Sequence, residues 1–170
     1  MVGFDEFLRY FERVRQRTRR VAALIPADGV EWTYKPEAFT LGDLVRHIAV
    51  AERFIWAETV LNRRTLYVTH GREIADGRDA VLALLDSLHD ESMAIFRSLT
   101  PAALAGKSVT PEGTMVTSWK WLRMMVEHEI HHRGQLYTML GMIDVPTPPL
   151  YGMTSGQVRA RANTVAGTEV

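Results

Sequence analysis

The chain has 170 residues, 46% hydrophobic and 24% charged, and its 20 basic and 20 acidic side chains cancel to zero net charge. That length suits one domain with a real core, and that balance argues against a disordered chain, a membrane protein or a polycation built for nucleic acid. Cysteine is absent, which excludes disulfides, thiolate ligands and a cysteine nucleophile, so a bound metal must be held by nitrogen and oxygen and any thiol must come from outside.

The opening residues Met1 to Glu6 have no basic stretch followed by an apolar run. No segment reaches the roughly 18 apolar residues of a spanning helix, so the expected location is the cytoplasm, with no membrane partner. From Phe4 to Ile25, apolar residues at Phe4, Phe7, Leu8, Phe11, Val14, Val21 and Ile25 form a helical stripe that closes before Pro26. Six arginines lie between Arg9 and Arg20. Interleaved with Glu6 and Glu12 in a neutral chain, they read as a solvated or subunit-facing surface, not a nucleic-acid site.

Pro26 to Gly29 is a turn and Trp32 to Pro36 an extended connector. Thr40, with Asp43 three positions on, marks the N-terminus of a second helix from Leu41 to about Leu61. His47 points inward on it with Leu44, Ala51 and Phe54. Glu58 shares that line but lies three turns away, whereas Glu52, about 140° off the line, is set aside. Ile55 and Trp56 are read as outward apolar residues suited to a dimer contact. Asn62 to Gly77 is a polar connection, long enough to cross a bundle. Arg78 to Leu99 is the third helix, with His89 as boundary decoration. Ala102 to Thr117 reads as a loop, and Ser118 as the N-cap of a fourth helix that runs to Met142 without proline. Past Gly141 the prolines Pro146, Pro148 and Pro149 predict an extended strap over about 142–170, with a short helical turn from Gly156 to Ala162. Tyr151 on this strap is placed near the mouth of the site. Four helices with little strand signal give an all-α four-helix bundle as one domain over 1–170.

The fourth helix carries the chemistry. At about 100° per residue, His128 and His132 are about 40° apart, and Trp121, Gln135 and Met139 fall within about 20° of His128. Both imidazoles therefore lie on the core-facing stripe, with Glu127, Glu129 and Arg133 assigned to the solvated face or its flanks. Two buried imidazoles with unmet donors and acceptors are hard to explain as packing, and facing helices of a bundle bring ligands together. His47, His128 and His132 are thus predicted to hold one divalent ion with an open position for water. Neutral imidazoles suit zinc, nickel, copper or iron, and zinc is the first choice. Such an ion lowers the pKa of its water or holds an incoming thiolate. Gln135 and His131 are the candidate residues behind the ligands.

His128-Glu129-Ile130-His131-His132 also spells H-E-x-x-H, in which Glu129 would be a protease's general base. The longer zinc-protease signature needs glycine where Gln135 stands, and no later ligand follows at the right spacing, so proteolysis is rejected.

The stretch Thr40 to Ala49 followed by Glu52, the run His132-Arg133-Gly134-Gln135, the Trp32 to Pro36 connector and the Pro148 to Gly152 tail together resemble the DinB-like family of damage-inducible bacterial proteins. The resemblance implies an up-down-down-up bundle, a triple-histidine metal site at His47, His128 and His132, and frequent homodimers, so a homodimer is expected; by donor chemistry the expected ion is zinc or nickel. It also implies similarity to enzymes that use low-molecular-weight bacterial thiols. The expected function is a metal-dependent thiol S-transferase or hydrolase acting on a small molecule in stress or detoxification. The alternative is a non-catalytic metal-binding dimer of the stress response.

Overall fold

The computed structural model describes residues 3–166. Helix α1 covers Phe4–Ala22; α2 starts as Leu41–Ala51, continues through a π-helical turn over Glu52–Trp56 and ends as Ala57–Thr59; α3 covers Arg78–Arg97. A short α4, Pro101–Ala105, precedes a hairpin of β1, Lys107–Val109, and β2, Met115–Thr117; α5 covers Ser118–Met142 and α6 covers Ser155–Ala166. The hairpin is antiparallel with Ser108 opposite Val116. It occupies the span expected to be loop, and Thr117, not Ser118, stands at the N-cap of α5.

Four long helices pack as two parallel pairs. Phe7 meets Trp119 while Thr18 bonds Glu129, so α1 and α5 run the same way. Arg53 pairs with Glu91, and Leu44 and Val45 share a core with Val81 and Leu85 while Ala57 and Val60 share one with Met93 and Phe96, so α2 and α3 also run together. Arg19 to Asp86 with Glu12 to Arg97 sets α1 against α3, and His47 to His128 with Thr59 to Trp121 sets α2 against α5. The order is up-down-down-up, as the family resemblance implied.

Parallel consecutive helices force long returns. The segment after Thr59 travels back along α2: Leu66 N–H donates to Phe54 O at 2.9 Å, Tyr67 reaches His47, and Ala75 O accepts from Arg46 Nε at 2.9 Å. Arg46, wholly buried, also pairs with Asp43 at 3.0 Å and with Glu31, which ties both connectors to α2. The start of α2 is held by reciprocal bonds between Thr40 and Asp43 of 2.9 and 3.0 Å, the expected capping box. Gly42 packs beneath Val30, whose Cγ1 a methyl there would meet at 2.7 Å.

The core contains one charged layer that periodicity assigned to solvent. Arg15 is 4% exposed, Glu52 2%, Glu129 2% and Arg133 3%. Arg15 of α1 pairs with Glu52 of α2 and, at 3.0 Å, with Glu129 of α5, while Glu52 accepts from His89 of α3 at 2.9 Å. Thr18 donates to Glu129 at 2.6 Å, and Arg133 donates to Val14 O at 3.2 Å. These are corrections: Glu129 and Arg133 are not on the solvated face, Glu52 is not idle, His89 is buried, and Arg15 is not a surface arginine. The physical reason is that each bundle helix is covered by two neighbours, so its buried arc is wider than one stripe. Glu127 does remain exposed.

Trp56 is corrected as well. It is 7% exposed and packs inside the bundle on Trp121, so it offers no outward face for a dimer. The π-turn takes an extra residue, and the side chains that follow lag behind their α-helical positions. After α5, the tail lies along the seam of α1 and α5: Tyr137 donates to Thr147 O, and Arg133 donates to Tyr151 Oη at 3.2 Å. Tyr151 therefore sits beside Arg17 and Arg133, away from the histidines, and α6 is longer than the expected turn. No helix among the described residues is long and apolar enough to cross a membrane.

Candidate metal centre

His47 from α2 and His128 and His132 from α5 meet at mid-height of the bundle. Each offers one ring nitrogen, and the three lie within 4.8 Å of one another; no other group of three histidines or carboxylates does so among the described residues. His47 Nε2 stands 3.0 Å and His132 Nε2 3.1 Å from His128 Nε2. The spacing of α5 produces this, because residues four apart sit one above the other on a helix face.

The outward nitrogens explain which atoms are left for a ligand. Gln135 Oε1 only accepts, so His132 Nδ1, 2.7 Å away, carries that ring's proton and leaves Nε2 as a lone pair. His47 Nδ1 lies 3.0 Å from Tyr67 Oη, which in turn lies 2.6 Å from His70 Nδ1. His128 Nε2 faces the other two Nε2 atoms at hydrogen-bond distance, and a neutral ring can donate at most one proton there, so with their protons on Nδ1 at least one of the other lone pairs is left without a donor, which a cation at the centre resolves. Nitrogens around a tetrahedral zinc, at about 2.0–2.1 Å from the ion, are about 3.3 Å apart, close to the two separations from His128 Nε2, 3.0 and 3.1 Å. The donor set fits a borderline transition metal and suits calcium or magnesium poorly.

Burial, first, and then the neighbouring imidazoles disfavour charge on these rings. His47 is pushed down to about 4 and His128 to about 3, and His132 is lowered too, partly offset by its bond to Gln135. All three are therefore neutral near pH 7, the form that binds metal. Burial also raises the Tyr67 phenol, which keeps its proton.

The walls are apolar. Trp56 packs on His128 with ring centroids 4.7 Å apart, and Phe39 stacks over His132 at 6.2 Å and against His70 at 4.6 Å. Beside His132 opens a cavity of about 750 Å³ bounded by Phe39, Leu44, Gln135, Thr138, Met139 and Met142 among others. His131 is exposed, its ring 5.0 Å from that of His132, and it does not join the cluster. Glu129 faces Arg15 and Thr18, so it is turned from the histidines and is not placed to serve as a protease base. Burial raises its pKa, Arg15 opposing.

Sequence reasoning missed Phe39, Tyr67 and His70. Tyr67 and His70 directly flank Val68 and Thr69 in a segment without periodicity, and the only available signal was its aromatic and histidine content within a connector too long for a simple turn.

The family model described as the DinB superfamily matches residues 10–136. Among solved structures, the DinB-like protein YjoA of Bacillus subtilis aligns with a TM-score of 0.66 at 21% identity, covering 86% of this chain and 98% of that one. YfiT from Bacillus subtilis, described as a probable metal-dependent hydrolase with an unusual four-helix bundle topology, aligns at 0.67 and 17%, covering 84% and 89%. A mycothiol-dependent maleylpyruvate isomerase aligns at 0.64 and 19%, covering 79% of this chain and 60% of that one. At these identities the likeness is one of fold. No curated protein matches the chain.

Proposed function

The chain belongs to the DinB superfamily, and on that premise we propose that it is a metal-dependent enzyme in which His47, His128 and His132 hold one divalent transition-metal ion beside a small-molecule cavity. The observation that carries the reading is the convergence of three Nε2 atoms whose two outer rings have their Nδ1 positions engaged by Gln135 and Tyr67. When bound, such an ion supplies Lewis acidity and lowers the pKa of a water or thiol at an open position. The chain's own residues do the rest. Gln135 orients His132, Phe39 and Trp56 exclude water from the rings, and Leu44, Met139 and Met142 offer an apolar wall for the body of a substrate.

The chain has no cysteine, so a thiol nucleophile would be an external low-molecular-weight thiol. A neighbour named as mycothiol-dependent and another named as a probable hydrolase make thiol and water the two nucleophiles to compare. Zinc and nickel are the first metals to try. The deciding test is metal content of untagged protein by plasma mass spectrometry, with His47→Ala and His132→Ala alongside. About one equivalent in the wild type, lost in both variants, supports the site; a wild type that takes up neither zinc nor nickel on titration ends the reading.

A second reading, a metal staple without catalysis, draws on the ligands coming from two helices, α2 and α5. Under it, chelation lowers the melting temperature sharply and no electrophile or ester is turned over with thiol or water. Turnover that is lost on chelation favours the enzyme.

A further inference from the structure

Histidine can bind a metal through either nitrogen, and which one is free depends on where the ring proton is held. At His132 the protein answers with Gln135, on the same helix. At His47 the partner comes from elsewhere. Tyr67 and His70 belong to the segment that returns along α2, and that segment is anchored just before them, where Leu66 N–H and Thr65 Oγ1 both donate to Phe54 O at 2.9 Å. The anchor brings Tyr67 Oη to 3.0 Å from His47 Nδ1 and to 2.6 Å from His70 Nδ1. Phe39 closes the far side, with its ring 4.6 Å from that of His70 and 5.3 Å from that of His47.

The directions of these bonds follow from counting protons. If His47 Nε2 is a ligand, the single proton of that neutral ring sits on Nδ1 and donates to Tyr67 Oη. Tyr67 then donates its own proton to the nearby acceptor, His70 Nδ1, so His70 carries its proton on Nε2. Each of the three groups has one role, and each role requires the next.

We propose that Tyr67 and His70 are positioning residues of the metal centre, a relay that holds His47 in the tautomer whose Nε2 faces the ion. The inference rests on the metal reading above. It makes the return segment part of the site: the phenol fixes the ring and strengthens it as a donor, and His70 orients the phenol.

The test is titration of metal-free protein with cobalt(II), following visible absorption, for the wild type, Tyr67→Phe, His70→Ala and His70→Asn. Tyr67→Phe keeps the ring and loses only the hydroxyl. It is expected to weaken cobalt binding about 10- to 100-fold and to change the absorption bands, with the melting temperature of the metal-free protein unchanged. His70→Ala is expected to weaken binding as well, and His70→Asn, whose Oδ1 replaces Nδ1 as acceptor, to restore it. Wild-type affinity and spectrum in Tyr67→Phe and His70→Ala would overturn the relay while leaving the metal site standing. His70→Asn as weak as His70→Ala would overturn His70's role as acceptor. A wild type that binds no cobalt would overturn both readings, and that result differs visibly from the other two.

Discussion

Replacing Arg15 by methionine is the sharpest test of the buried charged layer. The guanidinium lies between Glu52 and Glu129, on side chains only 5%, 3% and 3% exposed. Methionine fills comparable space but leaves two carboxylates facing each other without a cation. Removing one member of a buried ion pair costs about 3–5 kcal/mol, a large part of the roughly 5–15 kcal/mol that holds a domain of this kind. The loss corresponds to a fall of about 10 °C in melting temperature for a chain of this length. It also has a pH signature. Glu129 is already raised by burial, with Arg15 opposing, so Arg15→Met raises it further. A carboxylate with a raised folded-state pKa contributes stability below its unfolded value and loses that contribution as pH rises through the folded value. The deficit of the variant relative to wild type should therefore shrink from pH 7 to pH 5. Urea unfolding at both pH values measures it, and Arg15→Met combined with Glu52→Gln and Glu129→Gln should recover most of the loss. A deficit below about 1 kcal/mol at pH 7, or one that does not shrink at pH 5, refutes the account.

The metal-free protein should weaken in acid, because His47 and His128 are held at about 4 and about 3 against an ordinary 6.5. The unfolded chain takes up these protons first, so stability is complete above about pH 6.5 and falls below it, by at most about 1.4 kcal/mol per pH unit for each ring and less for their partial exposure. Urea midpoints at pH 7, 6 and 5 measure the slope, and His128→Ala should flatten it; an unchanged slope counts against the burial of that ring. Gly42→Ala brings a methyl to 2.7 Å from Val30 Cγ1 and 3.0 Å from Arg46 Nη1. Crowding of about 1–3 kcal/mol outweighs the gain in helix propensity, so a thermal melt should show a net loss, and a stabilised variant would contradict the close packing. Thr40→Ala removes one arm of the capping box and should cost about 1 kcal/mol in the same melt, with no change if the cap is idle.

How far residues alone reached can be read from α5. Its span, its inward histidines and the bond that His132 donates to Gln135 follow from helical spacing, since His128, His132 and Gln135 are four and three residues apart on one face. The same spacing misplaced Glu129 and Arg133, because a helical wheel shows direction but not how many neighbours surround the helix. Arg15 and Glu52 failed for a related reason: each looks like a surface charge until both are seen in one layer with Glu129 and His89. Trp56 failed because the regular wheel does not carry through a π-turn. Tyr67 and His70 had no periodicity to reveal them; their place depends on the path of a connector, which follows from the topology and not from local pattern.

That path separates what keeps the protein folded from what roofs the site. The bundle and its charged layer are built from helix positions, whereas the return segment meets the histidines only after Leu66 and Thr65 fasten it to Phe54. Residues added around Arg63 and Arg64, which are exposed, lengthen a surface loop without moving that fastening. Doubling the length of a flexible loop costs only about 0.6 kcal/mol in closure entropy. Changes there can alter the surface of the loop while the fastening at Phe54 keeps Tyr67 and His70 beside His47, and the cavity, walled by Phe39, Leu44 and residues of α5, keeps its outline.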